Sequence, residues 1–142
     1  MDVVVVLLMV VGAVFALILI GFALSRVVMG NHARRARSLL PPLAPGDYEE
    51  SAVGLTVPFK AYGLLRANSS GLVFATGQTG EVVAIRRRSI VSAFASEDVP
   101  TGTGMQTLRR PALVLQLNDP TLPQGLGFMV SDPAAWVQRL RR

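Results

Sequence analysis

Cysteine is absent from this chain of 142 residues, and histidine occurs only once, as His32. Zinc and copper sites depend on these two residue types, so the composition argues against a transition-metal centre. His32 lies among arginines, where we interpret it as a solvated residue and not as a general base. The stretch TGTGMQT lacks the third glycine and the Lys-Ser/Thr of a phosphate-binding loop. We therefore expect no catalytic residue, no cofactor and no metal, and the chain is not expected to be an enzyme.

Charge is absent from the 22 residues between Val3 and Leu24. As a helix this run would be about 33 Å long, which matches the thickness of a bilayer's hydrocarbon core. A cleaved signal peptide is the competing interpretation, but it requires basic residues before a shorter apolar run, whereas Asp2 precedes this one. We therefore predict a transmembrane helix over residues 3–25.

Basic residues follow this helix and do not precede it. The flank contains four arginines, namely Arg26, Arg34, Arg35 and Arg37. Short flanks rich in arginine stay on the cytoplasmic side, so we expect a single-pass protein of the plasma (inner) membrane with its amino terminus outside. Each arginine near an anionic leaflet contributes about 1 kcal/mol of attraction. We interpret residues 26–47 as a basic juxtamembrane helix, stopped by Pro41 and Pro42, and a proline-rich linker.

The net charge of +5 does not by itself indicate a nucleic-acid partner. The excess of positive charge is concentrated next to the predicted membrane helix, where the topology rule already accounts for it. Nucleic-acid binding requires basic residues spread over a surface that follows the phosphate backbone. We therefore expect membrane and protein partners and no nucleic acid.

Residues 48–142 have the pattern of a β domain. Short runs of Val, Ile, Leu and Phe are separated by turn-forming residues, which is typical of an antiparallel sandwich or small barrel. Alternation within one run places Leu113, Leu115 and Leu117 toward the core, and the polar, glycine-rich segment 97–111 is predicted to be a mobile loop. The seven predicted strands are residues 52–57, 59–67, 71–76, 81–86, 89–95, 112–118 and 125–131.

A short helix is predicted at the carboxy terminus, over residues 132–142. Ser131 or Asp132 is suited to cap it, and basic residues occupy its last turn, where the helix dipole favours them. Trp136 and Leu140 fall on its apolar face, so the helix must pack on the sheet. We interpret Trp136 as a structural plug at one open end of the barrel.

This order of elements resembles the pleckstrin-homology-like (PH-like) superfamily, in which about seven antiparallel strands form a partly open barrel closed by a tryptophan-bearing helix. The segment GLLRANSSGLVFATGQTGEVVAIRRRSIVSAF is similar to the strand-turn-strand pattern of bacterial members. Small actinobacterial single-pass proteins with a cytoplasmic PH-like domain resemble the chain over its full length. Lipid-binding eukaryotic members surround the first hairpin loop with several basic residues. Here that loop, RANSSG, has Arg66 alone, with Lys60 upstream.

Exposed arginines are the candidate contact residues of this domain. Arg86 and Arg88 would share one face where the strand over residues 81–86 runs out into a turn, and Arg109 and Arg110 would join them if the fold brings the two turns together. Such a patch fits lipid phosphates or an acidic partner surface. The other interpretation is a solvated strand end that discourages edge-to-edge aggregation.

Three functions are compatible with this organisation. The first is a non-enzymatic, membrane-anchored scaffold that presents the domain to a protein partner. The second is a sensor of anionic lipid surfaces, which uses the exposed arginines. The third is an accessory subunit of a membrane transporter or complex, recognised through the helix, in which Gly12 and Ala16 form a small-xxx-small pair.

Overall fold

A computed structural model describes residues 2–141. It contains a long apolar helix at the amino terminus, seven antiparallel strands that form an open half-barrel, and a short helix at the carboxy terminus, which confirms the predicted fold class. The chain forms two compact units, one that ends at Asn31 and one that begins at His32.

Helix α1 extends over Val3–Ser38. Up to Met29 its large apolar side chains are exposed, Leu17 for example by 68% of its surface. Among residues 2–141 it is the one helix long and apolar enough to cross a membrane. Apolar side chains of this kind are unfavourable in water and favourable in a bilayer's hydrocarbon core, so α1 is a candidate membrane span.

The second unit is built around one seven-stranded sheet of order β4-β3-β2-β1-β7-β6-β5, in which every neighbouring pair is antiparallel. A 3₁₀ helix over Arg87–Ser89 joins β4 to β5, and α2 covers Pro133–Arg141. Asp132 caps α2 by accepting a hydrogen bond from the Ala135 amide at 3.2 Å, while Arg142 lies outside the described residues. The strands are β1 Tyr48–Gly54, β2 Tyr62–Asn68, β3 Gly71–Thr76, β4 Val82–Arg86, β5 Ile90–Pro100, β6 Met105–Leu117 and β7 Gly125–Met129.

The predicted mobile loop over 97–111 is wrong. Strands β5 and β6 continue through it, with Asp98 opposite Thr107 and Pro100 opposite Met105. Its polar and glycine-rich composition suggested a loop, but cross-strand bonds such as that from the Thr107 hydroxyl to the Asp98 carboxylate, at 2.8 Å, favour pairing. The longest hairpin of the sheet therefore lies where the sequence pattern predicted no structure.

The main core fills the concave side of the sheet. Leu113, Leu115 and Leu117 all lie in it, as predicted from their alternation. Phe74 and Phe128 meet there edge to face, with ring centroids 5.1 Å apart, a geometry that aromatic pairs prefer.

The last turns of α1 cover the opposite face of β2 and β3. Ala36, which is fully buried, packs with Leu64 and Ala75, and Leu40 adds to this cluster. A Cβ atom at Gly77 would lie 2.0 Å from the carbonyl oxygen of His32, so glycine is required where the helix backbone meets the β3–β4 turn. Because Leu64 and Leu65 pack on different faces, β2 is apolar on both sides.

A buried ion pair joins this helix end to the sheet. Glu49 and Arg66 lie opposite each other on β1 and β2, and both side chains are only 4% exposed. The Arg66 guanidinium donates two hydrogen bonds to one carboxylate oxygen of Glu49, at 2.5 and 2.8 Å, and a third to the Pro41 carbonyl. Arg37, at the end of α1, donates to the other carboxylate oxygen at 3.1 Å. Arg66 is thus enclosed by the protein and not displayed on a loop, and the predicted linker is fixed at Pro41.

Replacing Arg66 by Met should lower the free energy of unfolding of the second unit by about 3 to 5 kcal/mol, because Glu49 would remain buried without its main counter-charge. Urea unfolding of the full chain in detergent, followed by the fluorescence of Trp136, measures this change. The double variant Glu49→Gln with Arg66→Met should be more stable than Arg66→Met alone, since the uncompensated charge is removed. Arg109→Met, at an exposed position, is the control, and an equal loss in that variant would contradict the assignment.

Candidate functional site

The outer side of the β5–β6 hairpin carries the most exposed apolar surface of the second unit. Two irregularities in the pairing, between Ile90 and Ser92 and between Ser96 and Asp98, interrupt the alternation of β5. Ile90 and Ala93 consequently pack against the core, while Phe94 remains 37% exposed. A bulge of this kind re-aims side chains that a regular strand would bury.

The tip of this hairpin is fixed by the segment that follows β1. The Thr56 hydroxyl donates to the Pro100 carbonyl at 2.6 Å and accepts from the Gly127 amide at 2.9 Å. The Val57 amide donates to the Thr101 carbonyl at 3.0 Å. Thr56 is buried, and both of its hydrogen bonds bridge segments distant in sequence. The hairpin therefore has a defined shape along its whole length.

A small second core supports the outer face of β6. Val99 and Ala112 pack there with Val114, and Leu55 and Leu108 cover them. A Cβ atom at Gly127 would lie 2.0 Å from a methyl group of Val99, so the absence of a side chain lets the hairpin lie against β7. The alternation that predicted Leu113, Leu115 and Leu117 in the core gave no reason to expect Val114 to be buried as well.

An open groove of about 460 Å³ runs beside this hairpin. Val91 and Met105, which are 66% and 67% exposed, leave apolar surface in contact with solvent there. We call this feature the β5 groove; its apolar lining comes mainly from Val91, Phe94, Pro100, Met105 and Val114, and its polar lining from Ser96, Asp98, Gln116 and Gln124. A groove of this size and polarity matches the concave, mostly apolar sites that proteins use for ligands and peptides.

The β5 groove lies along an end of the sheet. β5 is paired with β6 and is the last strand in the sheet order, so its other side is not paired with a strand. The end of α2 lies beside Ile90–Ala93, so the part of this edge that is open to a further strand is the part after Ala93. Exposed Asp98 lines the groove, whereas Glu97 lies opposite the irregular segment of β6 that contains Arg109 and Arg110. The site therefore combines an edge strand, apolar surface and one carboxylate.

The four arginines predicted as contact residues do not form one patch through the sheet. Arg86 ends β4, whereas Arg88 belongs to the 3₁₀ helix, so the prediction that they share a strand face is wrong. Arg109 and Arg110 lie within β6 and not in a turn. Strands β3, β2, β1 and β7 separate β4 from β6 in the sheet order. All four arginines are exposed.

The arginines of the predicted membrane flank have different surroundings. Arg26 lies 4.7 Å from the centroid of the Phe22 ring, one turn earlier in α1. Arg34 and Arg35 are exposed, whereas Arg37 contacts Glu49. Arg37 is therefore engaged in the fold of the second unit as well as belonging to the basic flank.

Trp136 and Leu140 attach α2 to the sheet. Trp136 is fully buried and Leu140 packs at the border of the main core. The indole nitrogen donates to the Glu50 carboxylate at 3.2 Å, and the Trp136 ring meets Tyr48 edge to face, with centroids 5.0 Å apart. The amide and hydroxyl of Ser131 also donate to Glu50, at 2.5 and 3.0 Å. Glu50 lies within β1 and accepts from three residues around α2, a role that its position in the sequence did not indicate.

Within residues 2–141, no group of three or more His, Cys, Asp or Glu side chains is placed to hold a metal ion. Comparisons of the chain with protein-family models, curated proteins and solved structures gave no match. The geometry of the second unit is therefore the basis for any functional assignment.

The Tyr48 phenol predicts a pH dependence of stability. Burial raises the pKa of Tyr48 above its ordinary value of 10.0, and the hydrogen bond to the Glu50 carboxylate acts in the same direction. The neutral phenol is favoured in the folded state, so its contribution to stability is complete below about pH 10 and is lost as the pH rises beyond that value. Between pH 9 and 11 the unfolding free energy of the wild type should fall more than that of Tyr48→Phe, as measured by urea unfolding. Parallel curves would contradict this assignment.

Proposed function

We propose that this chain is a non-enzymatic, membrane-anchored interaction module. In this proposal α1 crosses the plasma (inner) membrane with its amino terminus outside, and a cytoplasmic PH-like domain presents the β5 groove to a protein partner. The open half-barrel of seven antiparallel strands and the tryptophan-bearing α2 support the PH-like assignment. The 13 arginines against one lysine support an actinobacterial origin through the codon usage of GC-rich genomes.

The observation that carries this proposal is the apolar β5 groove beside a terminal strand. Val91, Phe94 and Met105 are exposed, although the chain buries most other large side chains of the second unit. Contiguous exposed apolar surface marks interaction sites in soluble domains. A partner segment in extended conformation would pair with β5 and place alternate side chains in the groove, which is the strand-addition mode of peptide recognition.

The charge around the groove specifies the partner further. Asp98 is the one charged residue that lines the groove, so an extended apolar segment with a basic residue near Asp98 is the complementary ligand. Arg109 and Arg110 lie opposite Glu97, outside the groove lining, and balance the charge of the rest of the hairpin. An anionic lipid surface is a poorer match to the Asp98 carboxylate. The separation of Arg86 from Arg109 and Arg110 across the sheet also argues against a single lipid-contact patch, and for this reason we prefer a protein partner to a lipid sensor.

The topology part of the proposal is tested by protease accessibility. The basic flank after α1 predicts that residues 32–142 are inside, since arginine-rich flanks are retained in the cytoplasm. Protease added to intact cells should leave the second unit whole, and protease added to inverted membrane vesicles should degrade it. Immunoblotting with an antibody against the second unit measures both results. Degradation in intact cells with the vesicle sample protected would reverse the proposed orientation.

The groove part is tested by site-specific photo-cross-linking in native membranes. A photoreactive phenylalanine at position 94 should cross-link to a protein, whereas the same group at exposed Gln78, in the β3–β4 turn, should not. Mass spectrometry should place the cross-link in an extended apolar segment of the partner, because that segment would lie along β5.

A peptide-binding measurement then tests how much the groove contributes to the affinity. A synthetic peptide of the cross-linked segment should bind the purified full chain, and Met105→Glu should weaken binding at least tenfold, because burial of an apolar side chain of this size contributes about 1.5 to 3 kcal/mol. Gln78→Glu introduces the same charge away from the groove and should bind as the wild type does. Equal weakening in both variants, or a cross-link to lipid at position 94, would argue against a protein-binding groove.

A further inference from the structure

A second concave site lies away from the β5 groove. It has a volume of about 380 Å³ and is formed by the segment before β1, the β2–β3 turn, the 3₁₀ helix and the last turn of α2. Arg87 and Arg139 both line it, and no residue of this site also lines the β5 groove. We call it the two-arginine pocket; Asp47, Tyr48, Asn68, Ser69, Arg87 and Arg139 are the lining residues that bear on its chemistry.

Arg87 is directed inward by the 3₁₀ helix. Its backbone amide donates to the Ser70 carbonyl at 2.9 Å, which fixes the residue beside the β2–β3 turn. Its flanking residues Arg86 and Arg88 are exposed, whereas Arg87 is half-buried. The alternation of side chains in a strand had singled out Arg86 and Arg88, so a pocket built on Arg87 was not predicted.

The hydrogen-bond donors of the Arg87 guanidinium have few acceptors within the protein. Its Nε atom is buried and has no hydrogen-bond partner among residues 2–141. One terminal nitrogen reaches the Asn68 carbonyl only at 3.5 Å, which is long for a hydrogen bond. Buried donors are normally paired, and an unpaired donor on a charged group is costly. The side chain is therefore suited to donate to an acceptor that enters the pocket.

Arg139, in the last turn of α2, supplies a second positive charge to the pocket. Its guanidinium carbon lies 3.8 Å from the centroid of the Tyr48 ring, so the ring face holds the side chain in place. Within residues 2–141 neither Arg139 nor Arg87 forms an ion pair with a carboxylate. The two guanidinium groups are thus available to one ligand, from two elements that are far apart in sequence.

The other lining groups define the class of this ligand. The Asn68 carboxamide oxygen accepts from the Ser70 and Gly71 amides at 2.9 and 3.0 Å, which leaves its nitrogen as a donor. The exposed Ser69 hydroxyl adds a further donor. Asp47, whose carboxylate accepts from the Ala44 amide at 3.1 Å, reduces the net charge of the lining to one positive unit. A compact anion with several acceptor oxygens, carried on a small organic group, fits these donors and this volume.

We propose that the two-arginine pocket binds a phosphate ester, with Arg87 and Arg139 donating to its oxygens. Guanidinium groups recognise phosphate oxygens through paired, charge-assisted hydrogen bonds, which a lysine cannot reproduce. The ester belongs either to a soluble molecule or to a phospholipid headgroup. This inference does not rest on the proposed protein-binding function, because the two sites share no residue.

Calorimetric titration of the full chain in dodecyl maltoside, a detergent without phosphate, tests the site, with glycerol 3-phosphate as the probe at constant ionic strength. We expect saturable binding by the wild type and at least tenfold weaker binding by Arg87→Gln and by Arg139→Gln. Arg88→Gln removes the same charge from an exposed neighbour and should bind within twofold of the wild type. No saturable binding, or equal weakening in all three variants, would overturn the proposal.

The stability of each variant is measured in parallel by thermal unfolding. If Arg87→Gln does not fold, Arg139→Gln decides the question, since the Arg139 side chain is exposed and its contact is with the face of the Tyr48 ring. Undiminished binding by a folded Arg139→Gln would then overturn the proposal, and a tenfold loss would support it.

The source of the ester is distinguished by repeating the titration in nanodiscs that contain phosphatidylglycerol. A phospholipid ligand would compete with glycerol 3-phosphate and raise its apparent dissociation constant, and Arg139→Gln would abolish this competition. An unchanged dissociation constant would assign the pocket to a soluble ester. Both results support the phosphate-binding role, whereas competition that persists in Arg139→Gln would contradict it.

Discussion

The buried pair of Glu49 and Arg66 is the interaction on which the arrangement of the second unit depends. It lies where β1, β2, the end of α1 and the segment at Pro41 meet, and it satisfies polar groups from all four. Glu50, the next residue, accepts hydrogen bonds from Trp136, Ser131 and Tyr48. Successive residues of a strand point to opposite faces, so two adjacent carboxylates attach α1 to one side of the sheet and α2 to the other.

Much of the fold was predictable because those parts of it follow directly from the hydrophobic pattern of the sequence. Strand β3 and the core positions Leu113, Leu115 and Leu117 follow from alternation, and α2 follows from its cap and apolar face. The apolar run of β2 also indicates that both faces of this strand are buried. A strand apolar on both faces requires a cover on each, and the second cover is the end of α1 around Ala36, which the sequence pattern predicted only as part of a basic juxtamembrane helix.

Most of the errors concern a contact between residues distant in sequence, whereas the error at Arg86 and Arg88 comes from the local 3₁₀ helix over Arg87–Ser89. The hairpin at 97–111 is polar and glycine-rich, but Thr56 and Val57, more than 40 positions earlier, hold its tip. The bulges of β5, which expose Phe94, have no signature in residue type. Arg66 was interpreted as a loop residue because its partner Glu49 lies on another strand. Local periodicity contains no information on such partners, and so the β5 groove and the two-arginine pocket could not be predicted.

The two candidate sites differ in chemistry as well as in position. The β5 groove presents apolar side chains and carboxylates, whereas the two-arginine pocket presents guanidinium groups, so one ligand cannot satisfy both. Two weak sites on one domain act together when their ligands are found on the same surface or assembly, because binding at one raises the effective concentration at the other. Anchoring by a transmembrane α1 would add to this effect by confining the domain to two dimensions. Neither site then needs high affinity, which agrees with an open groove and a pocket of low net charge.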